Sequence, residues 1–283
     1  MGVLYVVATP IGNLEDITLR ALRVLREVRL IAAEDTRTTA KLLARYEIST
    51  PMVSFFEHNE LTRQDEILQA LDTHDVAVVS EAGMPTISDP GYRLVQAAVA
   101  CGVSVVVVPG PSAVVAALAV SGLPTDRFRF LGFLPRRRVA RQQALVSLRD
   151  ELHTIVCFEA PHRLLATLQD IQVLWGDRQV VVACELTKLY EEVWRGPVSA
   201  ALAHFEQKRP RGEFTLVISG ASKRDEPMWS EPSVRRALAD LLARGVSRRD
   251  AATQVAQMAR WSRRAVYRLA AQEPLDIVGG KDD

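Results

Sequence analysis

The sequence predicts an α/β protein made of two α/β halves, followed by a small C-terminal helical domain resembling a helix-turn-helix. Three observations carry this. Short β-branched runs alternate with helical periods as far as residue 219, the pattern of α/β proteins. Most of those runs are apolar throughout, so both faces of a largely parallel sheet should be covered. After the Pro-containing stretch Ala221–Pro232 the periodicity becomes purely helical. A length of 283 residues suits two domains with an appendage. The boundaries fall at 1–112, 113–222 and 231–275, with Ala221–Pro232 as a linker.

In order along the chain, Leu4–Ala8 reads as the first strand. Asp16 is positioned to cap a helix with Ile17, Ala21, Leu25 and Val28 on one face. Leu30–Ala33 is a strand, Thr38–Tyr46 a helix and Met52–Phe56 a strand. Leu61–Thr73, Val76–Ser80, Tyr92–Ala100 and Ser104–Val108 continue the alternation of helix and strand. Past Pro109-Gly110-Pro111, a helix covers Ser112–Ser121. Phe128–Phe133, Thr154–Phe158, Val180–Cys184 and Phe214–Ser219 are strands of the second half. Glu191–Gly196 belongs to a hairpin, since Trp194-Arg195-Gly196-Pro197 is turn chemistry. In the tail, Val234, Ala237, Leu238, Leu241 and Leu242 follow helical spacing up to Gly245. Ser247 and Asp250 form a capping box, and Ser262 caps a third helix that turns Val266 and Leu269 inward.

Composition narrows the function. Hydrophobic residues make up 48% and charged residues 24%, which describes a folded, soluble chain and excludes disorder. A net charge of +1 leaves any nucleic-acid surface to a local patch. Such a patch is present in the tail. Nine arginines between Ser230 and Ala270 (Arg235, Arg236, Arg244, Arg248, Arg249, Arg260, Arg263, Arg264 and Arg268) face three acids, a local balance of +6. Arg136, Arg137 and Arg138, with Arg141, form a second cluster, read either as phosphate contacts or as a solvated face. Cys101, Cys157 and Cys184 sit in apolar runs without CxxC spacing, so buried reduced thiols are expected and a structural zinc is not. No HExxH and no Ser-His-Asp set is present, and no metal site is expected. The N-terminus lacks the charged start of a secretory signal, and no apolar run nears the roughly 18 residues that span a bilayer. A cytoplasmic protein without membrane contact is expected.

The candidate site residues lie in loops that follow strands, where open α/β sheets bind ligands. Thr9-Pro10-Ile11-Gly12-Asn13-Leu14 is either a plain βα turn or a ligand loop. Ser80–Gly91 packs two glycines, two prolines and the acids Glu81 and Asp89 into one rigid segment able to approach a ligand closely. A carboxylate there is suited to a ribose diol. Ser112, after Pro109-Gly110-Pro111, can cap its helix or face a ligand. Glu34-Asp35-Thr36-Arg37 reads equally as an ion-pair network or a substrate clamp. Phe55–Glu60, with His58, lies at the same sheet edge. In the second half, Glu159–Arg163 and Glu185–Lys188 also follow strands, and Gly212–Thr215 opens one. Lys188 is the only lysine between Lys41 and Lys208.

These segments, in this order, resemble the tetrapyrrole methylase superfamily and, within it, the ribosomal RNA small subunit methyltransferase I family. The resemblance spans residues 4 to 220, and the helical tail resembles that family's own. It implies two methylase-type α/β domains with S-adenosyl-L-methionine in the cleft between them. It also implies a homodimer, and methylation of a cytidine ribose 2′-oxygen in 16S ribosomal RNA, presented as RNA or as the 30S subunit. Cofactor contacts would fall on Thr9, Pro10, Glu81, Met84, Ser112 and Ala113, with Phe158, Leu186 and Thr215 in the second half. Glu81 and Met84 stand where the family usually has Asp and Thr, a change that bears on cofactor affinity. The 2′-hydroxyl needs help in losing its proton, and Lys188, Glu185 and Glu34, with His58 behind them, are the candidates. A lysine serves as base only if burial depresses its pKa. Arg136, Arg137, Arg138, Arg263, Arg264 and Arg268 would contact RNA. Two rival readings are a tetrapyrrole methyltransferase, which leaves the arginines unused, and a ligand-sensing DNA-binding protein.

Overall fold

The computed structural model describes residues 1–56, 58–221, 229–259 and 261–272. The chain divides into two compact units, Met1–Ala221 and Ser222–Asp283. Lys223, Asp225 and Pro227 of the expected linker, Arg260 of the basic tail and residues 273–275 of the expected tail domain lie outside the described residues.

The first half of the α/β unit comprises β1 (Val3–Val7), α1 (Leu19–Glu27), β2 (Leu30–Ala33), α2 (Thr36–Arg45), β3 (Met52–Ser54), α3 (Glu60–Leu71), β4 (Val76–Val79), α4 (Tyr92–Ala100) and β5 (Ser104–Val108). The strands form one parallel sheet in the order β3-β2-β4-β1-β5. Because strand side chains alternate, an all-apolar strand feeds two cores. Val7, Ile31, Ala33, Ala77 and Val79 meet Ala21, Leu25, Leu42 and Leu43 of α1 and α2. Leu4, Val6, Ala32, Val76 and Val78 meet Ile67, Leu71, Leu94 and Ala98 of α3 and α4. The edge strand β5 departs from this expectation: Val107 is 55% exposed, and among the described residues β5 pairs with β1 alone. The cap of α1 is also not Asp16. Thr18 accepts the Ala21 N–H at 3.1 Å, while Leu14–Asp16 forms a single 3₁₀ turn.

The second half holds α5 (Ala113–Ser121), β6 (Phe128–Phe133), α6 (Arg138–Val146), β7 (Thr154–Glu159), α7 (Leu164–Trp175), β8 (Gln179–Cys184), β9 (Glu192–Pro197), α8 (Val198–Gln207) and β10 (Phe214–Ile218). Here the expectation of parallel pairing fails. The order is β6-β7-β10-β8-β9, and only β6 and β7 run parallel. Apolar runs report burial of both faces, which α5 on one side and α6, α7 and α8 on the other provide here without parallel pairing. The expected hairpin is the β8–β9 pair, but Trp194–Pro197, expected as its turn, is strand paired with Gln179–Val182; the chain reverses before Glu192 instead. Cys157 is buried and Cys184 partly so, but Cys101 closes α4 and faces solvent, against expectation.

The second unit contains α9 (Glu231–Ala243), α10 (Arg248–Ala259) and α11 (Arg263–Gln272), packed on Val234, Leu238, Val255 and Val266. The Asp250 N–H donates to Ser247 Oγ at 3.1 Å and Ala265 N–H to Ser262 Oγ at 3.2 Å, the two caps the sequence pattern implied. Among the described residues, no helix is long and apolar enough to cross a membrane.

Candidate functional site

The loops leaving β1, β2, β4 and β5 converge with those leaving β7 and β8. Antiparallel pairing brings the start of β10 to the same edge, since Phe214 lies opposite both Glu159 and Cys184. Between them lies a cleft of about 460 Å³, within the range of small-ligand sites. Glu34, Glu81, Met84, Ser112, Ala113, Phe158, Leu186 and Thr215 line it, so most of the residues singled out in the sequence share one wall system. Thr9 and Pro10 do not line it; they are buried behind it, and Ile11 forms the wall there. Thr9 clasps Gly83 through paired backbone bonds of 2.9 and 3.0 Å, which joins the β1 and β4 loops. Ser112 occupies the N-cap position of α5 without capping it, which leaves its hydroxyl for the cleft.

One end of the cleft is acidic. Glu34 Oε2 accepts the Glu81 N–H at 3.0 Å. Burial, together with the charges of Glu81 and Asp35, holds Glu34 above the usual carboxylate range despite that bond. Asp35 plays a different part. It caps α2 and pairs with Arg37 at 2.8 Å, which pulls its carboxyl down to about 2. The Glu34–Arg37 segment is thus an ion-paired cap next to one carboxylate that faces the cleft. Asp89, which sequence reasoning offered only as one acid within its loop, also lines the cleft. Burial, reinforced by Glu34 and Glu81 and partly offset by a Ser80 hydrogen bond, pushes it up to about 7. The available signal was an acid inside a Gly/Pro-rich loop. Thr86 and Ser88 of that loop and Glu185 and Thr187 beyond β8 have φ between +51° and +75°. Strain of this kind gathers at functional sites.

Lys188 and Glu185 sit beside the cleft and do not line it. Lys188 Nζ bridges Glu185 Oε1 at 3.0 Å and Glu213 Oε2 at 3.1 Å, and Glu213 is a lining residue. Burial alone would lower the lysine, yet the two carboxylates outweigh it and raise it. Desolvation would raise Glu185, but Lys188 and the Glu213 N–H hold it low. Lys188 is therefore a fixed cation, and the condition under which it could act as a base is not met. This loop docks on the β1 loop, where the Asn13 N–H donates to Thr187 Oγ1 at 3.1 Å. A Cβ on Gly12 would collide with Lys188 Cγ and lie 2.8 Å from Leu186 O.

His58 is exposed, its ring edge-on to Phe56 at 6.2 Å, and does not line the cleft. Arg136, Arg137 and Arg138 are exposed, but Arg141 is buried against Asp170 at 2.7 Å and is not available to phosphate. In the helical unit, Arg263, Arg264 and Arg268 share one depression with Arg249 and Tyr267. Tyr267 is 49% exposed. Among the described residues, no group of three or more His, Cys, Asp or Glu side chains is placed to hold a metal ion.

A family model described as Tetrapyrrole (Corrin/Porphyrin) Methylases matches residues 3–202. The chain is 49% identical over 278 residues to the ribosomal RNA small subunit methyltransferase I of Synechocystis sp., covering 98% of this chain and 100% of that protein. It is 56% identical over 221 residues to the protein of the same name from Thermotoga maritima, covering 78% and 99%. The uroporphyrin-III C-methyl transferase of Thermus thermophilus, crystallised with S-adenyl homocysteine, superposes with a TM-score of 0.54 at 19% identity, covering 77% and 97%, a likeness of fold.

Proposed function

The chain belongs to the tetrapyrrole (corrin/porphyrin) methylase family and, within it, to the group of ribosomal RNA small subunit methyltransferase I proteins; from that premise we propose that it methylates the ribose 2′-oxygen of a cytidine in 16S ribosomal RNA. The observation that carries the ribosomal substrate is the match to the Synechocystis relative along nearly the whole chain, helical unit included. S-adenosyl-L-methionine is the methyl donor, and when bound it supplies a sulfonium-activated methyl group.

The cleft suits such a donor. Its acidic end, Glu34, Glu81 and Asp89, complements a cation, while Met84, Ile87, Phe133 and Phe158 offer apolar cover. Glu81, Met84, Ser112, Ala113, Phe158, Leu186 and Thr215 are the proposed cofactor contacts. Thr9 and Pro10 act from behind by fixing Ile11 and Gly83. An oxygen acceptor is supported by Asp89. A carboxyl that titrates near 7 holds or releases a proton at physiological pH, which suits a general base for a hydroxyl. The ether C–O bond would form at the acceptor oxygen as the donor's sulfur–methyl bond breaks, the sulfur keeping that electron pair and becoming neutral, while the hydroxyl proton would pass to Asp89. Glu34 keeps Asp89 basic through its charge, and Lys188 and Glu185 hold the opposite rim in place.

RNA would reach this acidic cleft only if held by cations elsewhere. Arg136, Arg137 and Arg138 are proposed to contact phosphates, as are Arg263, Arg264 and Arg268, joined by Arg249 and by Tyr267 as a stacking surface. The three-domain division at 112/113 and 231, a cytoplasmic location and a homodimer covering the open β5 edge complete the proposal.

Incubation with methyl-labelled cofactor and, separately, 30S subunits, naked ribosomal RNA or tetrapyrroles tests the whole. The expected result is label on RNA that survives alkaline hydrolysis as a 2′-O-methylated dinucleotide beginning with cytidine. Label on a base, or on tetrapyrrole alone, would overturn it.

A further inference from the structure

Asp89 sits in a segment whose backbone does little to hold itself. Thr86 and Ser88 adopt left-handed φ of +75° and +67°, Gly91 lies at +115°, and the internal backbone tie is Thr86 N–H to Pro90 O at 3.3 Å. Gly91 is also the N-cap of α4 and has no side chain with which to cap it. The missing partner comes from another helix. Glu60, the first residue of α3, is 8% exposed, and its Oε1 accepts the Gly91 N–H at 3.2 Å across 31 residues of sequence. A carboxylate is seldom buried in a small domain unless it is paired or bonded. Here it plays the part of the glutamate in a capping box, but delivered from a neighbouring helix, and it also faces the positive end of α4. Glu60 is itself held in place. The Asn59 side chain accepts the Phe56 N–H at 2.8 Å and donates to Ser54 O at 3.1 Å, fixing the entry into α3.

We propose that Glu60 is a positioning residue for methyl transfer: its buried carboxylate, anchored on the Gly91 N–H, holds the Thr86–Pro90 turn so that Asp89 faces the cleft at the same end as Glu34 and Glu81. The role rests on the reading of Asp89 as proton acceptor. Glu60 acts through the hydrogen bond, so an amide oxygen at the same place serves nearly as well.

Titration of the ¹³C-labelled Asp89 carboxyl by NMR in the full chain, assigned by its loss in Asp89→Asn, reads the position of Asp89 without reference to turnover. In Glu60→Ala the midpoint should fall by about one pH unit or more as the turn relaxes into solvent. Glu60→Gln should keep it within roughly 0.3 unit of the wild-type midpoint. Turnover should follow, with kcat down about tenfold in Glu60→Ala, recovery to within about threefold in Glu60→Gln, and cofactor affinity little changed in both. A midpoint that stays near 7 in Glu60→Ala overturns the proposal. So does a Glu60→Gln midpoint that falls as ordinary exposed aspartates do, and this variant decides the matter even if Glu60→Ala does not fold. Full activity in Asp89→Asn would instead remove Asp89 as base and leave the titration to judge Glu60 separately.

Discussion

Replacing Asp89 by asparagine should make the protein more stable and nearly inactive, and the stability gain should depend on pH in a fixed sense. The carboxyl moves from 3.8 in the open chain to about 7 in the fold. Below about pH 4 both states hold the proton, and burial of the carboxyl carries no ionic penalty. Between about 4 and 7 only the folded state holds it; the unfolded chain binds fewer protons, and stability falls as pH rises. Above about 7 the folded state must bury the charge, and the penalty is complete. Three units correspond to about 4 kcal/mol as an upper bound. Because the group keeps partial contact with solvent, roughly half of that is a fairer figure. The asparagine amide carries no charge, so at about pH 8 the variant should gain about 2 kcal/mol, or about 5 °C in Tm for a unit of this size. At about pH 4.5 the gain should shrink to roughly a quarter of that. Differential scanning calorimetry of the cofactor-free protein at the two pH values measures this. In parallel, kcat should drop at least about 100-fold, and the wild-type kcat should rise with pH through about 7. A variant that is equally destabilised at both pH values, or that turns over like wild type, refutes the assignment of Asp89 as a buried, poised base.

Lys188→Met removes the cation shared by Glu185 and Glu213, so Tm should fall by a few degrees and kcat by less than about tenfold, with the pH profile unmoved. A profile that loses its rise with pH would restore Lys188 as the proton acceptor. Gly12→Ala should push the β1 loop off Leu186 and weaken cofactor binding by roughly tenfold, read by calorimetry, because the added carbon meets backbone as well as side chain. Unchanged affinity would show that the two loops part without cost. Arg263→Ala with Arg264→Ala should lower RNA affinity and reduce its logarithmic salt slope by about 1.4, leaving cofactor affinity intact. Titrations at several salt concentrations with an unaltered slope would exclude the helical unit from phosphate contact.

Most of the parallel sheet was readable because each strand is apolar on both faces and each helix between carries a clear stripe. The second sheet was harder. Val180–Cys184 and Phe214–Ile218 have the same composition as parallel core strands, and direction is set by connections that composition does not report. Three helices there escaped notice. α7 is apolar nearly all round, and α6 opens with arginines that read as a surface cluster; its Arg141 turned inward to a buried Asp170 that charge counting could not foresee. The site was legible as a set of loops, since turn residues and acids after strands are local signals. What a residue does within the set was not. Asp89 and Glu60 differ from other acids only in what surrounds them, and Glu34 differs from Asp35 only in which one the helix end captures.

Charge is distributed in a way that constrains how a polyanion can be a substrate at all. Glu34, Glu81 and Asp89 gather at one end of the cleft without an ion pair among the described residues, while Glu159 and Glu213 are neutralised by Arg163 and Lys188. A phosphate drawn into that end would meet like charge at short range in a partly dry site, where repulsion is strongest. A sulfonium would meet the opposite. The same acids that favour the donor therefore oppose the backbone of the acceptor, and only the reacting nucleotide can approach them. On the proposed function, binding energy for RNA would come from surfaces outside the cleft, and the exposed arginines at 136–138 and on the helical unit are the proposed ones. It follows that RNA affinity and cofactor affinity should respond to salt differently, the first steeply and the second hardly at all. If raising the salt concentration weakened both to the same degree, this division of labour between acidic cleft and basic surface would be wrong.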